Sequence, residues 1–160
     1  MTRTIRKAAI TTPSDREVRI ERVFDAPREK VWRALTDPDL VAKWWGRGHK
    51  LDVQMDFKRG GHWRFVEHGP KGQTWGFEGR YREITPPSRI EQTFEFDGMP
   101  SHVAVETMTL EDLGDGRTKL VTTSLFHTVE DRDGMLQSGM ESGVNESYAA
   151  LDELLESLVV

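Results

Sequence analysis

The sequence predicts an α+β fold in which a curved antiparallel sheet wraps around a long C-terminal helix. Between residues 49 and 127 six successive segments alternate with the period of a half-buried strand, and short turn-forming runs join them. Beyond Ser138 the apolar residues switch to helical spacing and keep it to the end of the chain. Strands in an unbroken run joined by tight turns make a meander, and a single amphipathic helix then has one apolar face against which to pack.

The first elements are set by local signals. Residues 1–15 are polar, interrupted by Pro13 and without period, so an extended arm is expected ahead of a single domain over residues 16–160. From Glu17 to Asp25, Val18, Ile20, Arg22 and Phe24 alternate with Arg19, Glu21 and Val23, which predicts the first strand. Asp25-Ala26-Pro27-Arg28-Glu29 starts a helix: an Asx residue precedes it, the proline sits where its missing N–H does no harm, and Glu29 faces the positive dipole end. Thr36-Asp37-Pro38 stops that helix and begins another, because the residue before a proline avoids helical geometry while Asp37 can cap the second helix. Leu40, Val41 and Trp44 are the apolar face of this second helix, which Trp45-Gly46 ends.

The meander then reads Leu51, Val53, Met55; Trp63, Phe65; Trp75, Phe77, Gly79, Tyr81; Ile90, Phe94, Phe96; Val103 to Leu110; and Leu120 to Phe126. Gly60-Gly61, the run His68 to Gly72, Thr85-Pro86-Pro87-Ser88, the run Asp97 to Pro100 and Gly114-Asp115-Gly116 are the turns. With the first strand this makes a seven-stranded sheet with two short helices between strands one and two. Ser138-Gly139-Met140-Glu141 has the pattern of a capping box, and Met140, Val144, Tyr148, Leu151, Leu155 and Leu158 form the apolar stripe of the final helix.

Composition narrows the function classes. In 160 residues, 36% hydrophobic with five Trp and seven Phe, there is enough apolar side chain for one core, but no run long enough to cross a bilayer. No membrane insertion is expected. The basic start, Met1 to Lys7, leads into no long apolar stretch and does not read as a secretory signal. Without cysteine there is no disulfide or zinc–thiolate site, which fits the cytoplasm. A net charge of -5 repels polyanions, and Lys58-Arg59 and Arg80/Arg82 are too small to track a phosphate backbone, so no nucleic-acid partner is expected.

No catalytic signature, cofactor motif or metal-ligand spacing emerges. His49, His62, His68, His102 and His127 lack a chelating arrangement and read as solvated or turn histidines. Gly60-Gly61 is followed by a strand and no Gly-Lys-Ser/Thr, so it is a turn and not a phosphate loop. Glu67, Glu91 and Glu106 are strand carboxylates that could serve as a pocket acid or base, although the solvated strand surface is the commoner place for such charges.

Several local motifs carry a resemblance to a known family. The run Phe24 to Pro38, Trp44-Trp45-Gly46, the run Asp56 to Phe65, the run Gly79 to Pro87 and Gly139 to Gly143 are similar to signatures of the activator of Hsp90 ATPase homologue (Aha1-like) branch of the START-like, or SRPBCC, superfamily. The resemblance covers about residues 17 to 159 and implies the helix-grip fold. It departs at Val144, where many relatives carry Trp. It implies binding of a small apolar molecule in a cavity between sheet and helix, because superfamily members hold lipids, hormones and polyketides there. The branch name also implies a chaperone partner, and a minority of the superfamily are cyclases or dehydratases that need a poised acid or base in the cavity.

The cavity candidates combine both lines of reading. Trp63, Phe65, Trp75, Phe77, Tyr81, Phe94 and Phe96 sit at alternating positions, so each strand sends its aromatics to one face, taken as the concave one. Trp44 and Trp45 divide the same way, one anchoring the second helix and the other bordering the mouth. On the final helix, Met140, Gly143, Val144, Ser147 and Leu151 complete the set. An interior glycine costs a helix about 1 kcal/mol relative to alanine, so Gly143 asks for either close approach or open space. The exposed first strand or arm leaves an edge at which a homodimer can form.

Overall fold

The computed structural model describes residues 6–158, so residues 1–5 of the expected arm and the last two residues lie outside it. Strand β2 (Glu17–Phe24) alternates inward and outward along its whole length, with Val18, Ile20, Arg22 and Phe24 buried. Strand β1 (Ala9–Thr11) adds to its edge, Ile10 opposite Ile20. This eighth strand belongs to the stretch expected as an unpaired arm. Three residues are too few to display a period of two, so only the pairing reveals it.

Helix α1 (Arg28–Thr36) and helix α2 (Pro38–Trp44) carry the chain across to the opposite edge of the sheet. Asp37 caps α2, its Oδ1 accepting from the Asp39 N–H at 2.9 Å. Asp25 does not cap α1; its carboxylate meets Arg6 at 2.9 Å and Pro27 takes the cap position. Strands β3 (Lys50–Met55), β4 (His62–His68), β5 (Thr74–Thr85), β6 (Arg89–Phe96), β7 (Ala104–Gly114) and β8 (Arg117–Leu125) form the expected meander. β8 returns to pair with β2, giving the order β1-β2-β8-β7-β6-β5-β4-β3, with each neighbouring pair antiparallel.

Between the sheet and the last helix lies α3 (Val129–Gln137), capped by Thr128 Oγ1 at 3.1 Å from the Asp131 N–H. None of its residues is buried, so it carries no apolar stripe for periodicity to detect. Ser138 closes this helix by donating to the Met135 carbonyl at 2.7 Å. The expected Ser138–Glu141 capping box is therefore not formed. Helix α4 (Met140–Ser157) starts instead from Gly139, whose φ of 82° turns the chain sharply between the two helices.

Helix α4 buries Tyr148, Leu151, Leu154 and Leu155 against Phe24, Val31, Leu35, Leu110 and Leu120, one of two apolar clusters. Arg22 of β2 ties down the same helix from below, its guanidinium holding Asp152 through two hydrogen bonds of 2.7 and 2.5 Å. The second cluster, Val41, Leu51, Trp63, Phe65, Tyr81 and Ile90, lies on the β3–β6 half of the sheet, with Val41 brought to it by α2. Among the described residues no helix is long and apolar enough to cross a membrane.

Candidate functional site

Strand register decides which side chains share the concave face. Opposite residues share a face, so the buried Trp63 and Phe65 of β4 carry with them Val53 and Met55 of β3 and Phe77 and Gly79 of β5. By the same rule Tyr81 brings Gln92 of β6, Gln92 brings Glu106 of β7, and Glu106 brings Ser124 of β8. Phe94 and Phe96 share the parity of Gln92 on β6, and Met108 that of Glu106 on β7.

The face is not uniformly sealed. Trp63, Phe65, Tyr81, Ile90 and Leu110 are buried, whereas Phe77, Phe94, Phe96, Glu106, Met108 and Ser124 are only half-buried although they point to the same side. The middle of the concave face, over β5 to β8, is therefore less tightly covered than its flanks. Trp45 packs over this stretch with ring centroids 5.2 Å from Phe65 and 5.1 Å from Phe77, while Phe77 lies 5.6 Å from Phe94 and 5.3 Å from Phe96. These are ordinary edge-to-face and offset distances for aromatic pairs.

The other candidates separate by environment. Trp44 is buried and donates from its indole to the Ala34 carbonyl at 2.9 Å, which makes it the anchor of α2, while Trp45 remains half-buried. Leu151 is fully buried in the core beneath α4. Met140 and Val144 are half-buried on the same cluster. Gly143 and Ser147 face the turn after α2: a Cβ on Gly143 would stand 3.1 Å from Arg47 Cδ, and Ser147 Oγ accepts from the Arg47 N–H at 3.4 Å. Close approach of the Arg47 turn is thus what the small residues accommodate. Trp75 belongs to the same corner, stacked on His49 at 5.9 Å with the Arg47 guanidinium 5.5 Å from its ring.

Two of the three strand carboxylates turn inward. Glu67 is 2% exposed and is held by Arg47 Nη2 at 2.5 Å and His49 Nδ1 at 2.6 Å, which compensates the charge its burial would otherwise strand. Glu106 has no such cation. Gln92 Nε2 donates to its Oε1 at 3.0 Å, and burial pushes its carboxyl up to about 7 against the smaller opposing pull of that hydrogen bond. Burial, with Glu106 adding to it, pushes the phenol of Tyr148 on α4 up to about 12. Glu91, by contrast, lies with Arg89 and Arg82 at 3.4 and 3.5 Å. The signal for the inward pair was present in the sequence: Glu67 shares the parity of Trp63 and Phe65, and Glu106 that of Met108 and Leu110.

Four histidines pair with a carboxylate, His49 with Glu67, His62 with Glu78 at 2.8 Å, His68 with Asp52 at 2.7 Å and His102 with Asp131 at 2.8 Å. Among the described residues, one open surface depression is lined by Arg59, Arg80, Arg82 and Glu91 and another by Arg6, Lys7, Arg117 and Lys119. Neither includes Glu106 or the half-buried aromatics, and in the first Arg59 and Arg82 already meet Glu83 and Glu91.

No curated protein matches the chain in sequence. A crystal structure of a Rhodobacter sphaeroides protein is similar over 96% of this chain and 100% of its own, at 30% identity and a TM-score of 0.88. A Chromobacterium violaceum protein is 31% identical over 89% of this chain and 99% of its own, with a TM-score of 0.76. An Arthrobacter aurescens protein, 24% identical, shares the fold over 98% of this chain and 94% of its own, with a TM-score of 0.84. The model of the family described as Activator of Hsp90 ATPase homolog 1-like protein matches residues 25–156, the stretch from the start of α1 almost to the end of α4, and the chain belongs to that family.

Proposed function

We propose that this protein binds a small, mostly apolar molecule against the middle of its concave face, between β5 to β8 and the N-terminal half of α4. The observation that carries the reading is the half-burial of Phe77, Phe94, Phe96 and Met108 on a face whose neighbouring positions are sealed. Apolar surface left accessible inside a curved sheet gains stability when a ligand removes it from water, by about 25 cal/mol for each Å² covered. Family membership supports the same reading, since related domains commonly bind ligands.

A thermal-shift screen against fatty acids, sterols, aromatic polyketides and aromatic amines tests it. Saturation at a hundred dissociation constants contributes about 2.7 kcal/mol, which moves the melting temperature of a domain this size by several degrees. Ser124→Phe, which adds bulk directly opposite Glu106, is expected to abolish that shift while the unliganded protein still melts cooperatively. A hit that binds Ser124→Phe as well as wild type would place the ligand elsewhere and contradict the reading.

A second reading, an acid–base enzyme of the cyclase or dehydratase kind, has one observation in its favour. Glu106 carries a carboxyl pushed up to about 7, where a side chain can both give and take a proton near neutrality. Turnover of a bound hit, lost in Glu106→Gln with affinity retained, would support it; a hit recovered chemically unchanged would not.

A further inference from the structure

Glu106 is poised in a way that an apolar ligand alone does not use. Gln92, itself buried, fixes the carboxylate through Oε1, and Oε2 has no protein partner among the described residues. Ser124 stands directly opposite on β8, and Phe94 lies diagonally opposite on β6, its ring 5.6 Å from Phe77 and 5.7 Å from Trp63. The site thus combines one uncompensated carboxylate oxygen with the faces and edges of several aromatic rings.

Among the described residues, the charged groups of β2, β4 and α4 nearest this face are engaged elsewhere. Arg22 of β2 has both Nη atoms on Asp152 of α4. Tyr148 of α4 and Tyr81 of β5 are held protonated by burial. At the far corner, Glu67 of β4 already binds Arg47 and His49.

We infer that Glu106 anchors a protonated amine, so that the ligand class of this face is an apolar molecule bearing a single ammonium group, seated on the Glu106 carboxylate with the Phe77–Phe94 ring surfaces around it. This rests on the ligand-binding reading above. An ammonium gains from both features at once: the carboxylate makes a charge-assisted hydrogen bond and the ring faces attract a cation. A ligand carboxylate meets the opposite, like-charge repulsion across a short gap in a partly dry site. The inference therefore separates this protein from a fatty-acid carrier.

The test uses the full chain and phenylalkylamines of graded length, with the isosteric alcohols and carboxylates, measured by calorimetric titration. The amines are expected to bind tightest, and their affinity to rise about tenfold between about pH 6 and about pH 8 as Glu106 loses its proton while the amine keeps its own. Glu106→Gln retains an oxygen to accept from Gln92 but carries no charge. It is expected to weaken the amines about tenfold or more, to leave the alcohols nearly unchanged and to flatten the pH dependence. The melting temperature of this variant checks that it folds. Alcohols or carboxylates binding as tightly as the amines, or amine affinity that ignores Glu106→Gln, overturns the inference and leaves the ligand-binding reading standing. Binding by none of the three series, with a panel hit still displaced by Ser124→Phe, also overturns the amine assignment alone; no hit of any kind overturns both.

Discussion

Glu106 is held among Gln92, Ser124, Met108 and the ring of Phe94 by strand register, with no basic side chain paired with it among the described residues. Its carboxyl is raised from the ordinary 4.5 to about 7, so the folded protein holds that proton more tightly than the unfolded chain does. The corresponding stability is fully present below about pH 4.5 and is lost as pH rises through about 7, by at most roughly 3 kcal/mol. Chemical denaturation of wild type and Glu106→Gln across this window is expected to show the variant gaining on wild type as pH rises. Parallel curves would mean that Glu106 is hydrated like a surface carboxylate. A different kind of polar burial is found at Arg22, 4% exposed and paired with Asp152 through both Nη atoms. Asp152→Ala leaves the guanidinium without its partner and is expected to cost about 3–5 kcal/mol, read from denaturant midpoints at constant slope.

Helices α3 and α4 show at the level of elements what the sequence can and cannot convey. The stripe Tyr148, Leu151, Leu155 repeats with helical spacing and was legible, as was the meander, whose inward residues alternate so regularly that register is set by parity. Helix α3 packs no residue into the core, and β1 is three residues long, so neither leaves a hydrophobic period. The pattern from Ser138 to Glu141 misled because a capping box and a left-handed glycine turn compete for the same residues, and Ser138 is already engaged with Met135. At Gly139, φ is 82° and an added Cβ would meet nothing, so only backbone strain opposes substitution. Gly139→Ala is expected to cost about 1 kcal/mol, a fall of roughly 2–4 °C in melting temperature. No change would show that the turn between the helices relaxes freely. The candidate site was legible only in part. Alternation sends the aromatics of each strand to one face, but which of them seal the core and which remain half-buried depends on where α2, Trp45 and α4 lie over the sheet. That is a tertiary property.

For the molecule as a whole, the helical layer covers the sheet unequally. Helix α4 is anchored over the β2 and β8 side by Arg22–Asp152 and its leucines, while the Arg47 turn closes the far corner onto Glu67 and against Gly143 and Ser147. Between these two anchored regions lies the half-buried stretch with Phe94, Phe96, Glu106 and Met108. The net charge of -5 bears on partners at longer range, since it disfavours anionic ligands approaching the protein. The central claim, that the concave face receives the ligand, is tested most directly by methyl NMR of the methionines during titration with a thermal-shift hit. Met108 and Met140 are half-buried on the inner side, whereas Met99 is 44% exposed in the turn after β6. The account predicts saturable shifts of the Met108 and Met140 methyls with Met99 unmoved. Shifts confined to Met99, with Met108 and Met140 unchanged at saturation, would place the ligand outside the grip and contradict it.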